Sequence, residues 1–286
     1  MQDPGTGIAP FVVPLPPSTE SAPAAIKVIA LPLSWAFGTI RTAAVVALLL
    51  VHTVIVEGAL LVLLAVPALH QPMAGFLTAL HARLILLLLG FVFVQADTIS
   101  LKRTGRSPPN VAFAPQQGDV IVANSSSYID VLYLAFRYNP TFLLPTTSAN
   151  SPAKVTGWKS AGLLRALLSS GKLPSSASAG ENLGDAVHNA PGPVVIFPEC
   201  TTSNNRALLK LANLSAAGAT KPKPVRTFLL AFKRLHPSES PKLSTGSKQE
   251  DWDVIGDTIA SVGRLKRVNG LDVESKVAFI EYRKKR

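Results

Sequence analysis

The chain has 286 residues, 48% of them hydrophobic and only 16% charged, with a mean hydropathy of +0.31. That balance is too apolar for an ordinary soluble enzyme and implies that part of the chain contacts lipid. The net charge of +11 lies entirely in residues 97–286, which hold 25 Lys and Arg against 14 Asp and Glu; such a surface suits anionic headgroups or phosphorylated small molecules. With no basic–aromatic interleaving there is no case for nucleic acid, and the single cysteine, Cys200, excludes an internal disulfide framework or a cysteine-built zinc site.

Residues 1–25 hold six prolines among Gly, Ser and Ala, and read as a disordered tail. Residues 26–96 read as a membrane-embedded helical hairpin. Its first arm, 43–66, is AAVVALLLVHTVIVEGALLVLLAV, about 36 Å of helix against a hydrocarbon core of about 30 Å. Glu57 falls inside it, at a cost of about 3 kcal/mol that the 15 Leu, Val and Ile outweigh; it is expected to face a helix partner or the interface. The second arm, 73–94, carries His81 and Arg83, and either spans or enters one leaflet and returns while Arg83 snorkels. Lys27 and Arg41 precede the arms, Lys102, Arg103 and Arg106 follow them, and none lies between. This favours a hairpin with both ends cytosolic.

Residues 97–286 read as a cytosolic α/β domain. Strands are expected at 119–123, 141–145, 193–198 and 226–232, and helices at 128–137, 157–169, 180–189, 204–213, 252–262 and 271–283. The alternation predicts a mixed, largely parallel sheet flanked by helices. The stretch 236–250 reads as a polar loop.

Two strand-to-loop junctions carry the candidate chemistry. Val120–Ala123 runs into Asn124-Ser125-Ser126-Ser127-Tyr128-Ile129-Asp130, and Val195-Ile196 runs into Phe197-Pro198-Glu199-Cys200-Thr201-Thr202-Ser203-Asn204. In parallel α/β sheets the ligand crevice lies at the carboxyl ends of the strands. The plainer reading is helix capping, by Ser127 before 128–137 and by Ser203 or Asn204 before 204–213.

The second junction resembles the FPEGTRS block of the glycerophospholipid acyltransferase superfamily, of lysophosphatidic acid acyltransferase type. The first resembles that superfamily's N-H-x-S-x-x-D block, with Asn124, Ser127 and Asp130 in register. The wording PECTTSN-x-RALLK is similar to the divergent fungal lysophosphatidic acid:oleoyl-CoA acyltransferase branch, and the resemblance covers about residues 43–235. It implies an α/β acyltransferase-like fold and transfer of an acyl group from acyl-CoA to lysophosphatidic acid, giving phosphatidic acid. CoA is then a co-substrate, with no metal or tightly held cofactor. Membrane phospholipids are the setting, the endoplasmic reticulum membrane or lipid droplet the location, and the domain faces the cytosol. In the family a histidine takes the proton of the acceptor hydroxyl and the aspartate orients it. The resemblance makes Asp130 and Ser125 the catalytic positions. Asn124, Ser127, Glu199, Thr201 and Thr202 become substrate-binding positions, to which Arg206 and Lys210 are added as phosphate contacts on one face of the helix 204–213.

The chain departs from the family at three places. Ser125 stands where the histidine belongs, Cys200 where the motif glycine belongs, and no arginine is in register after the intermediate block. A serine is no base without a partner of its own. The proton acceptor then falls to His236 beyond strand 226–232, to Asp130 made basic by burial, or to the acceptor's phosphate. A catalytically impaired pseudo-acyltransferase acting in lipid binding or membrane trafficking is the competing reading. A hydrolase using Ser125 or Cys200 is the third.

Overall fold

The computed structural model describes residues 2–3, 6–12, 24–94, 96, 113–148, 151–176, 180–212, 224–232, 236–239, 243–244, 249–268 and 270–284. Helix α1 (Ala24–His52) continues through a π-helical turn (Thr53–Gly58) and a 3-10 turn (Ala59–Ala65) into α2 (Pro67–Leu88). There follow β1 (Val120–Ala123), α3 (Tyr128–Tyr138), β2 (Thr141–Ser148), β3 (Ser151–Ala161), α4 (Leu163–Ser169), α5 (Leu183–Asn189) and β4 (Val194–Ile196). The remainder is β5 (Ala207–Leu209), β6 (Pro224–Val225), β7 (Thr227–Ala231), β8 (His236–Glu239), β9 (Leu243–Ser244), α6 (Gln249–Gly263), β10 (Lys266–Val268) and α7 (Val273–Lys284).

The main sheet is mixed and mostly parallel. Its strands run β3-β2-β4-β1-β7, with the short β8 extending it beyond β7. The contacts β2–β4, β4–β1 and β1–β7 are parallel, while β3 and β8 are antiparallel to their neighbours. Strand β1 is apolar throughout because both of its faces are covered. Val120 and Val122 join a core with α5 and α6, while Ile121 and Ala123 join a core with α2, α3 and α4. At the amino edge Arg226 pairs with the buried Asp119 through two contacts of 2.9 Å.

Both N-terminal helices are long and apolar enough to cross a membrane, over Pro32–Gly58 and Leu69–Leu88. They touch each other, and both also pack on the α/β unit. Ala82, Ile85 and Leu86 of α2 are fully buried in the core that contains α3, and Val45, Leu48 and Leu49 of α1 are half-buried against it. Gly75 lies so close to Asn139 that a Cβ there would come within 2.9 Å of its side chain. Glu57 is exposed, with its carboxylate near the start of α4: a Cβ on Gly162 would sit 3.1 Å from it. The second arm ends earlier than expected. Helix α2 stops at Leu88, where the Phe91 N–H returns to the Leu86 carbonyl. Arg83 donates to the Phe91 and Val92 carbonyls at 3.1 and 2.6 Å and lies over the Phe136 ring. Arg41 donates to the Leu88 carbonyl.

Three expectations are corrected. The helix expected at 157–169 is half strand, since β3 runs to Ala161 before α4 begins. Position 157 must be a glycine there because a Cβ on it would meet the Gly180 backbone at 2.5 Å, and the extended chain is held by pairing with β2 and by the backbone hydrogen bonds that Trp158 exchanges with Glu181. The helix expected at 204–213 is absent: Ala207–Leu209 form β5, parallel to β10. Within 236–250, read as loop, His236–Glu239 and Leu243–Ser244 are strands. Part of the expected tail is docked as well. Ile8 and Phe11 pack on Ala207, Leu209, Val268 and Leu271; residues 13–23 lie outside the described residues.

Candidate active site

Each junction forms at the carboxyl end of a central strand. After β1, the buried Asn124 accepts the Phe232 N–H through its Oδ1 at 2.7 Å, tying the ends of β1 and β7 together. Asp130 Oδ2 then accepts the Ser126 N–H at 2.7 Å, the Ser126 hydroxyl at 2.8 Å and the Ser127 N–H at 2.9 Å. Ser127 Oγ accepts the Ile129 N–H at 3.3 Å, so Ser127 and Asp130 form a capping box on α3. The capping reading of Ser127 is therefore realised. Burial outweighs these bonds and pushes the Asp130 carboxyl up to about 6.

After β4, Cys200 adopts a left-handed backbone with φ +52°, the conformation that a glycine takes most easily. The preceding Glu199 is fully buried and bridges the two junctions. Its Oε1 accepts the Ser125 N–H at 3.0 Å and its Oε2 the Leu209 N–H at 3.1 Å. The Ser203 N–H completes the link by donating to the Ser125 carbonyl at 3.1 Å. Burial pushes Glu199 up to about 8; the Asp130 charge adds to this, while its two N–H donors and Lys276 oppose it. Burial, reinforced by Glu199, pushes the Cys200 thiol up to about 12. A thiol that stays protonated is a poor nucleophile, which removes the support for a Cys200 hydrolase.

The two junctions share one cleft of ≈ 240 Å³ at the carboxyl edge of the sheet. Ser125 lines it from the first junction and Cys200, Thr201 and Thr202 from the second; Leu143, Leu144 and the segment from Ser169 to Ser175 close the far side. Among the lining residues Lys172 is the one cation. Thr201 is buried with its hydroxyl unpartnered. Asp130 and Glu199 do not line the cleft; they stand behind it and support the loop that carries Ser125.

Arg206 and Lys210 are not part of this arrangement. Both are exposed and absent from the cleft lining. The chain between them is extended, so four residues span about 13 Å rather than the roughly 6 Å of a helical turn. Ser203 and Asn204 cap no helix. Ser203 Oγ instead donates to the Ala207 carbonyl at 3.1 Å, and the Asn204 amide donates to the Ala9 and Val12 carbonyls at 2.9 and 3.1 Å.

No imidazole is among the partners of Asp130 that the described residues supply. His52 and His81 meet edge to face in the N-terminal helices, with ring centroids 5.4 Å apart. His188 lies on α5, ahead of β4. The backbone of His236 pairs with Ala231 at the carboxyl edge, as the parallel β7 requires; its side chain lies outside the described part of the structure. Among the described residues no three His, Cys, Asp or Glu cluster as a metal site.

One site residue escapes sequence reasoning. Lys276 of α7 donates to the Thr202 carbonyl at 2.7 Å and to its hydroxyl at 3.1 Å. Nothing in the sequence distinguishes it from the other lysines near the C-terminus, because its partner is 74 residues away. Comparison with protein-family models, with curated proteins and with solved structures finds no match.

Proposed function

We propose that this chain is an acyl-CoA-dependent acyltransferase that converts lysophosphatidic acid to phosphatidic acid at a membrane surface. The observation that carries the reading is the Glu199 bridge. It joins two blocks 74 residues apart into one wall of a largely apolar cleft, in a chain whose helix α1 exposes Trp35, Phe37 and Ile40. The free hydroxyl of the acceptor attacks the thioester carbonyl, a C–O bond forms, the C–S bond breaks, and CoA leaves as the thiol with the displaced proton. With Ser125 at the family's histidine position and Asp130 behind the cleft wall, that proton passes to the acceptor's own phosphate, and Asp130 serves by holding the loop that carries Ser125. Lys172 is placed to meet phosphate oxygens. The setting is the endoplasmic reticulum membrane or lipid droplet, with the α/β unit facing the cytosol.

One observation favours a second reading, a catalytically impaired acyltransferase fold acting in lipid binding or trafficking. The hydrogen bonds to Asp130 come from Ser126 and Ser127, which leaves this carboxylate in a capping role. Microsomal or purified protein given labelled oleoyl-CoA and lysophosphatidic acid separates the two. The acyltransferase reading expects phosphatidic acid, a loss of at least tenfold in Asp130→Ala, and a gain in Ser125→His. Product formation indifferent to Asp130→Ala sinks the site assignment, and no product with any lysolipid acceptor supports the second reading.

A further inference from the structure

We propose that Lys276 is a positioning residue of the cleft, fixing Thr202 on its wall, and that residues 9–12 of the chain clamp it there. The proposal deepens the acyltransferase reading and, for its kinetic consequence, rests on it.

The wall from Phe197 to Asn205 has no regular structure, and two of its non-glycine residues, Cys200 and Asn205, sit in the left-handed region. Such a loop keeps one shape only if its surroundings over-determine it. One ammonium supplies two of the restraints, through the carbonyl and the hydroxyl of Thr202. The same ammonium lies over the Phe11 ring at 5.9 Å, and Phe11 rests on Phe279 at 5.8 Å. Asn204 fastens the neighbouring backbone to the same N-terminal segment. Its N–H donates to the Pro10 carbonyl at 2.9 Å, and its side-chain amide donates to Ala9 and Val12. The start of the chain, its last helix and the cleft wall thus meet at one point, with Thr202 facing the cleft on the other side.

The two bonds to Thr202 are made by an ammonium, which makes them charge-assisted. An apolar side chain of the same length would keep the packing on Phe11 and lose the Thr202 bonds. Arginine would keep the donors.

Cys200, the chain's one cysteine, is a reporter already in place: it lines the cleft, is buried, and neighbours Thr201 and Thr202. The test uses the full chain in phospholipid vesicles, comparing wild type with Lys276→Met, Lys276→Arg and Asn204→Ala, at a temperature well below every variant's unfolding midpoint. The readouts are Cys200 alkylation by a small maleimide and steady-state acyl transfer from oleoyl-CoA to lysophosphatidic acid. The loss of two charge-assisted bonds is expected to speed alkylation about tenfold in Lys276→Met. Lys276→Arg should return to near the wild-type rate, and Asn204→Ala should fall between. Displacement of the wall should lower kcat about 10- to 100-fold in Lys276→Met with KM for oleoyl-CoA nearly unchanged. Equal alkylation in wild type and Lys276→Met overturns the proposal, as does an arginine variant no better than methionine. If wild type transfers no acyl group, the acyltransferase reading fails, and the alkylation series still decides the role of Lys276.

Discussion

Glu199→Gln tests the bridge between the two junctions. The substitution keeps the shape of the side chain and replaces two acceptor oxygens by one. Glu199 serves two N–H donors, Ser125 on Oε1 and Leu209 on Oε2. A glutamine can accept one of them, and its NH2 group then points at the other. Leaving a buried N–H unpaired costs about 1–3 kcal/mol. In a domain of this size that lowers the unfolding midpoint by roughly 2–12 °C. The pH dependence gives a second signature. Burial raises the Glu199 carboxyl from 4.5 to about 8 in the folded chain, so between those values the folded state binds more protons than the unfolded one. Stability from this group is therefore full below pH 4.5 and is lost as pH rises towards 8, by at most about 1.4 kcal/mol per unit. Glutamine has no such slope, so the gap between wild type and variant should be widest near pH 5, close as pH rises, and reverse in sign before pH 8. Urea unfolding in detergent micelles, followed by tryptophan fluorescence at pH 5, 6, 7 and 8, measures both effects. Equal midpoints at pH 5, or parallel pH profiles for the two proteins, would refute the bridge.

The left-handed Cys200 makes a steric prediction: Cys200→Gly should stay within about 1 kcal/mol of wild type, whereas Cys200→Val, β-branched at φ +52°, should lose more than about 2 kcal/mol by thermal unfolding. Asn124→Ala removes the acceptor for the buried Phe232 N–H, and a loss of about 1–3 kcal/mol in urea unfolding is expected, with no pH dependence of its own. For the membrane, the stretch Pro32–Gly58 is long and apolar enough to cross a bilayer, so a cysteine placed at the exposed Val62 just beyond it should react with an impermeant maleimide trapped inside vesicles that carry the α/β unit on their outer face; labelling from the outer face alone would contradict a crossing.

How far the fold was legible depended on where each decision is made. Strands β1, β4 and β7 are short apolar runs bounded by turn residues, and α3 begins at a serine followed three residues later by an acid; both signals are local. The segment after Asn204 was misread because Leu208, Leu209 and Leu211 fit a helical face as well as a buried strand. What selects the strand is distant: the Leu209 N–H goes to Glu199, and Leu208 pairs with Arg267 of β10. Residues 157–161 were misread for the same reason, since the bridge of Trp158 to Glu181 and the close Gly157–Gly180 approach join residues far apart in sequence. At the site, both junctions were visible as strand ends rich in polar residues. That Asp130 and Glu199 stand behind the cleft, and that Lys276 and Asn204 hold its wall, is settled by tertiary contacts with no local pattern.

The central claim is that the two junctions form one acyl-transfer site. It is tested most directly by mixing the purified chain in phospholipid vesicles with labelled oleoyl-CoA and lysophosphatidic acid, and following lipid product and free CoA together. Phosphatidic acid and CoA formed in equal amounts, with the yield cut at least tenfold by Asp130→Ala, is the predicted result. Vesicle-bound protein that forms no phosphatidic acid, or a yield the same in Asp130→Ala as in wild type, would contradict it.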